Sequence, residues 1–287
     1  MPVRVRWRRG IRTTRSDSPS WPKPTGGRRR PTAETLVESA YYEAQTVAGK
    51  KAENALEAGE YPRAELLSYV ASVHASYARF QVTQKEAFFS AMRAGLRAHR
   101  YAKQAYELDP EFYDIYVGLG AFNFFTGSLP GILKPFAFLI GARGNKETGF
   151  EQLGIAREKS RYSRTEARTV SYTAFLEDGQ YAAAFDLFEG LRADYPGNQV
   201  FFIWATDWFL RQGRVSSALN YFDRVARDES DSRPRMAQYA LLEKAGIEHA
   251  MSRRAAAQAT IERIRQLSGR DPLLFKKLTR LEARLRR

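Results

Sequence analysis

Apolar positions recur along this chain at three- and four-residue intervals from about residue 33 onward, the spacing that gathers them on one face of a helix. No stretch alternates long enough to suggest a strand, so the pattern predicts an all-α protein. Helices are expected near 33–58, 62–80, 84–108, 110–125, 130–140, 146–159, 164–178, 180–194, 199–212, 214–228, 233–247, 251–268 and 272–286. Start and stop signals support that division. Thr83–Glu86 and Ser163–Glu166 each match a capping box, a hydroxyl at N-cap with Glu three residues on. Asp109-Pro110 and Asp271-Pro272 would set Asp at N-cap and Pro at N1, where a missing N–H costs nothing. Gly59, Gly179 and Gly213 interrupt the periodicity where turns are expected.

The expected helices fall into pairs, and the pairing has a period. Setting "EDGQYAAAFDLFEGLRADYP" over "RQGRVSSALNYFDRVARDES" places Gly179 on Gly213, Tyr181 on Val215, Ala184 on Ala218 and Phe188 on Phe222, each at an offset of 34. Gly, a large apolar residue, Ala and Phe in this order at this period are the marks of the tetratricopeptide helix–turn–helix. Gly makes the turn, Ala lets two helices approach, and Phe fills the space between units. The clearest repeats are 165–198 and 199–232, and Pro196 ends the second helix of the first. A third pair, 233–268, has the helix lengths without the register, and 272–286 reads as a basic cap. The expected architecture is a tetratricopeptide-like helical-hairpin α-solenoid over 32–287, wound as a right-handed superhelix, with an apolar insertion at 126–144.

That insertion, "GSLPGILKPFAFLIGARGNKETG", admits three readings at 129–141. A membrane span needs about 20 apolar residues, and this run has 13 with Lys134 and Pro135 inside it. An interfacial helix suits the length, but the apolar residues do not share one face opposite a basic one. Burial is the third. Ile132, Leu133, Phe136, Phe138, Leu139 and Ile140 would contribute roughly 1.5–3 kcal/mol each if buried, so a plug between helix pairs is expected. Its polar end is no phosphate loop, because the fifth residue after Gly141 is Lys146 rather than Gly. Asn145 instead reads as the N-cap of the next helix, with Glu147 in the first turn.

Around this insertion, Gly118-Leu119-Gly120, Phe122-Asn123-Phe124, Leu129-Pro130, the run Ile132–Ile140, Gly144–Glu147, Gly149 and Leu153 carry a family likeness. The segment 100–180 resembles the tetratricopeptide-related family of the mitochondrial outer-membrane inclusion-body-clearance protein and its uncharacterised bacterial relatives. The resemblance implies a helical-repeat scaffold without enzymatic activity. The outer-membrane association of the eukaryotic members is not carried over, since no targeting signal is legible here.

Charge changes the picture mainly at the ends. Of the net +14, residues 1–31 carry +9 and 253–287 carry +8, which leaves 32–252 at −3. Residues 1–31, rich in Arg, Pro, Gly and Ser without periodicity, read as a disordered basic tail. That tail is either solvated sequence, including residues upstream of the true start, or a polyanion-binding arm or targeting peptide. The segment lacks the apolar stretch of a secretory signal, so a soluble, cytoplasmic protein is the default expectation. Zero cysteines exclude disulfides and thiolate metal sites, and three scattered histidines leave little basis for a metal or a catalytic dyad.

Chemistry is correspondingly sparse. Asp109, Glu111 and Asp114 sit where acids stabilise a helix start, and the many tyrosines between 41 and 116 stand at packing intervals. No catalytic residue, cofactor or metal is expected. In tetratricopeptide superhelices the first helix of each unit lines the concave face, which singles out Thr169, Thr173, Trp204, Asp207 and Arg211 as candidate partner-binding residues. The family's clamp for acidic peptide tails needs Lys and Asn at groove positions, and Thr169, Thr173 and Trp204 stand there instead. The expected function is a protein–protein interaction scaffold that binds a peptide or partner helix. The alternative is an adaptor for nucleic acid, another polyanion or an anionic membrane surface, acting through the basic ends.

Overall fold

In the computed structural model, residues 33–285 are described apart from Glu60, Glu86, Leu133, 136–140, Ala142 and 268–270. Among the described residues there are twelve α-helices and no strand: α1 Ala33–Ala58, α2 Arg63–Lys85, α3 Phe88–Leu108, α4 Tyr116–Gly127, α5 Lys146–Lys159, α6 Arg164–Glu177, α7 Tyr181–Asp194, α8 Val200–Arg211, α9 Val215–Glu229, α10 Pro234–Ala250, α11 Arg254–Gln266 and α12 Pro272–Leu285. The chain divides into two compact units, one ending at Leu119 and the other running from Gly120.

In the first unit α1 and α2 turn on Gly59, whose φ of 70° is the left-handed conformation glycine tolerates best. Ala64, five residues on, is buried. Leu67, Ala71, Ala102, Ala105, Ile115 and Leu119 form the core where α2 meets α3 and the end of the unit. Tyr41 and Tyr42 pack as their spacing suggested, whereas Tyr69 and Tyr106 are exposed. Tyr41 stacks on Phe80 at 4.3 Å, Tyr42 meets Phe80 edge-on, and Tyr41 donates to the Ser76 carbonyl. Two sequence expectations fail here. Thr83 lies inside α2, which continues to Lys85, and Ala87 rather than a hydroxyl residue precedes α3. Asp109 is the C-cap of α3, not an N-cap. Pro110 disfavours helical backbone at the residue before it, so Asp109 is extended and accepts from the Glu111 N–H, and the next helical turn begins at Tyr113.

The second unit repeats one device. Gly179 (φ 76°), Gly213 (φ 66°) and Ser252 (φ 59°) each end a helix in left-handed backbone. Each also sits in the same pair of bonds. The following amide reaches back five residues (Gln180 N–H to Phe175, Arg214 to Phe209, Arg253 to Glu248), and the turn residue's own N–H reaches back three. Five residues beyond each turn stand Ala184, Ala218 and Ala257, all fully buried, and four further on Phe188, Phe222 and Ile261 fill the core. The third pair therefore has the register after all. It was hidden because α10 is 17 residues long against 12 for α8, and because Ser252 replaces glycine.

The basic C-terminal segment is structural. Asp271 caps α12, accepting from Leu273 N–H (2.9 Å) and Leu274 N–H (3.3 Å), as its sequence promised. Leu274, Leu278, Leu281 and Leu285 are buried in the core. Buried Gln238 donates to the Ile264 and Leu267 carbonyls, satisfying the end of α11. Asp223 of α9 ties in α10 and α11, pairing with Lys244 at 3.2 Å through one oxygen and with Arg263 at 2.7 Å through the other, while Lys244 also pairs with Glu248 at 3.0 Å.

Helices α4 and α5 cross at backbone contact in the second unit. A Cβ built on Gly149 would lie 2.5 Å from the Phe124 nitrogen, and one on Gly120 would lie 2.8 Å from Leu153 Cγ and 2.9 Å from its nitrogen. Asn123 fastens the crossing, donating to Gln152 at 2.8 Å, and Asn145 caps α5 by accepting from Thr148 N–H at 2.7 Å. The insertion lies between these helices. Leu133 and 136–140, most of the expected plug and of the expected helix 130–140, lie outside the described residues. Ile132, expected to be buried, is 79% exposed.

Gly149→Ala should lower the stability of the second unit by roughly 1–3 kcal/mol, the cost of overpacking. Gly154→Ala, whose Cβ would meet nothing nearer than an Arg157 nitrogen at 3.8 Å, should instead stabilise by about 0.5–1 kcal/mol. Thermal unfolding of the two variants checks the contrast. A second expectation concerns His74, which is buried and stacked on Tyr101 at 5.6 Å. Burial, reinforced by the charges of Arg97 and Arg100, pushes its pKa down to about 4. The folded state thus binds the proton less well than the unfolded chain. Stability of the first unit should be full above about pH 6.5 and fall by roughly 3 kcal/mol towards pH 4, a slope that His74→Phe should flatten in denaturant titrations.

Candidate functional site

The five candidate residues lie on α6 and α8, the first helices of two successive hairpins, and the structure separates their roles. Thr169 and Thr173 stand one turn apart on α6 and donate to the carbonyls of Thr165 (2.9 Å) and Thr169 (3.3 Å). With their hydroxyls turned back on the helix, their methyl groups are what they can offer a partner. Trp204 belongs to the packing. Its ring stacks on Tyr172 at 4.4 Å, nearly parallel, and its carbonyl accepts from the Tyr172 hydroxyl at 2.9 Å. Burial pushes the Tyr172 phenol upward and keeps it a donor.

Asp207 and Arg211 are joined to each other and to a residue the sequence reading passed over. Arg211 Nε meets both Asp207 oxygens at 3.1 Å, and its other arm reaches Glu177 of α6 at 2.7 Å. The hydrogen bond it donates to Glu177, and then those to Asp207, raise the Arg211 pKa. Glu177 and Arg211 are 34 residues apart, one repeat period, so the sequence did hold a signal for this pair. On the other side of α8, Thr206 donates to Glu243 of α10 at 3.0 Å. Burial raises the Glu243 carboxyl, against the Thr206 bond and the charge of Lys277.

These contacts fix which way α8 faces. Phe201, Phe202, Ala205, Trp208 and Phe209 are buried. Trp204 and Arg211 lean on α6, and Thr206 leans on α10. Between these flanks Val200, Ile203, Asp207 and Leu210 share the outward face, with Ile203 45% and Leu210 44% exposed. The result is an outward strip on α8 in which Asp207 lies between Ile203 and Leu210. Among the described residues no group of three or more His, Asp or Glu could hold a metal, and no helix is long and apolar enough to cross a membrane.

Residues 175–245 match the tetratricopeptide repeat family model, from the end of α6 through α7, α8 and α9 into α10. With the three repeated turns and the buried alanines, this match shows tetratricopeptide-like helical repeats in that part of the chain. The crystal structure of the yeast Tom70 is similar at 13% identity with a TM-score of 0.35, the alignment covering 88% of this chain and 61% of that one. This chain thus spans less than two thirds of that structure's length. No curated protein matches the sequence. The assignment rests on the family match and the hairpin geometry.

Binding and packing roles should separate in variants. Arg211→Ala removes a half-exposed ion pair and should change stability by at most about 1 kcal/mol. Trp204→Ala, which opens the contact between α6 and α8, should cost roughly 2–4 kcal/mol. Denaturant unfolding measures both.

Proposed function

We infer that the chain is a non-catalytic scaffold that holds a protein partner, as a peptide or a helix, on the face formed by the first helices of its hairpins. The observation that carries this reading is the outward strip of α8. Aliphatic side chains there remain in water on a helix whose other faces are packed. Thr169 and Thr173 supply its α6 border and Asp207 its polar centre. Arg211 positions Asp207, and Trp204 holds the two helices in register.

A second reading, contact with an anionic surface, is favoured by α12, whose Phe275 is 70% exposed on a helix that also carries Lys276, Arg280 and Arg284. Because Leu274, Leu278, Leu281 and Leu285 are core residues, deleting 270–287 would unfold the stack, and charge reversal at 276 and 280 is the sound probe.

Photo-crosslinking tests the scaffold reading. A photoreactive amino acid at position 203 or 210 should yield a discrete adduct with a cellular protein, and the same group at Asp186 on α7 should not. Adducts from position 186 alone would refute the assignment of this face. Binding to anionic lipid vesicles that is lost with Lys276→Glu and Arg280→Glu, while positions 203 and 210 yield no adduct, would favour the anionic-surface reading.

A further inference from the structure

The chemistry of the α6/α8 face narrows the class of partner. Its apolar positions flank a carboxylate. Ile203 and Leu210 are exposed on either side of Asp207 along α8, and on α6 the hydroxyls of Thr169 and Thr173 are bonded to backbone carbonyls, which leaves their methyl groups for contact. Its charges are acidic in excess. Glu177 and Asp207 share the single guanidinium of Arg211, and their side chains remain 46% and 48% exposed. One arginine between two carboxylates leaves a net negative charge at the middle of the strip. Those ion pairs are half-exposed and therefore weakly held, so an incoming cation competes with Arg211 at little cost. The contrast with the rest of the molecule is informative. A chain of net charge +14 repels cationic peptides at long range, yet 32–252 sums to −3 and this face is acidic.

We propose that the face takes a peptide segment in which aliphatic side chains alternate with lysine or arginine, the aliphatic groups lying on Ile203, Leu210 and the threonine methyls and a cation meeting Asp207 and Glu177. This rests on the scaffold reading and adds to it the charge class of the ligand. It also accounts for the missing Lys and Asn positions. A face built to receive acidic tails would carry Lys and Asn at its groove positions, where this one carries Thr169, Thr173 and Trp204.

The test uses the full chain and two short dye-labelled peptides, one alternating Leu with Lys and one alternating Leu with Glu, titrated by fluorescence anisotropy at near-physiological salt. The Leu/Lys peptide should bind at least about tenfold more tightly than the Leu/Glu peptide. Ile203→Ser with Leu210→Ser should weaken it roughly tenfold or more, and Asp207→Asn with Glu177→Gln about three- to tenfold. Circular dichroism confirms that each variant is folded, as expected for changes at exposed positions. If the Leu/Glu peptide binds more tightly and is lost with Ile203 and Leu210, the face is a docking site and the charge class is wrong. If the carboxylate pair has no effect on a Leu/Lys peptide that still depends on Ile203 and Leu210, the charge class is again wrong. If neither pair of substitutions affects either peptide, the docking reading falls with it.

Discussion

The fold depends on alanine standing five residues after a left-handed turn. At Ala184, Ala218 and Ala257 nothing larger than a methyl group separates the second helix of each hairpin from the first. A larger side chain would force the helices apart by more than the surrounding phenylalanines could fill. The turn sets this contact. Left-handed backbone at Gly179, Gly213 and Ser252, with its two back-reaching hydrogen bonds, reverses the chain and brings the alanine round to face the preceding helix. Phe188, Phe222 and Ile261 then have fixed positions one turn further on in the core, where Phe188 meets Phe201 of the next hairpin edge-on.

The same physical limit, taken to its extreme, joins α4 to α5. There the small residues are glycines and the contact is backbone to backbone, so Gly120, Phe124, Gly149 and Leu153 interlock with almost no tolerance. These residues also belong to the distinctive sequence run around the insertion. Their distinctive pattern is explained by packing geometry and does not require a ligand.

Much of this was legible in the sequence where a residue type has a single geometric use. Gly179 and Gly213 announced turns, and Asp271 and Asn145 announced caps, because few alternatives exist for those residues in those contexts. Legibility failed where two signals competed. Asp109 looked like a cap for the helix after it, but Pro110 holds it extended and it closes the helix before. Thr83 looked like a cap and is interior to α2. Ser252 concealed the third turn because serine rarely adopts left-handed backbone, and the added length of α10 shifted the period from 34 to 39. At the candidate site, the sequence named the helices that form the face and residues lying on it. It did not show that Trp204 stacks on Tyr172, nor that Arg211 is shared with Glu177, because these depend on how α8 is rotated between α6 and α10.

The hairpin geometry therefore has a functional corollary. Since Phe201, Phe202, Ala205, Trp208 and Phe209 of α8 are buried and its flanks rest on α6 and α10, the strip of Ile203, Asp207 and Leu210 is what the helix leaves in water, and it is the surface we propose for a partner. Methyl-resolved nuclear magnetic resonance of the full chain, with the Leu/Lys peptide added stepwise, addresses that claim most directly. The account predicts saturable shifts at the methyl groups of Ile203, Leu210, Thr169 and Thr173, with Leu187 on α7 and Leu219 on α9 unmoved. Shifts confined to α7 and α9, or an unchanged spectrum at Ile203 and Leu210 while the peptide binds, would contradict it.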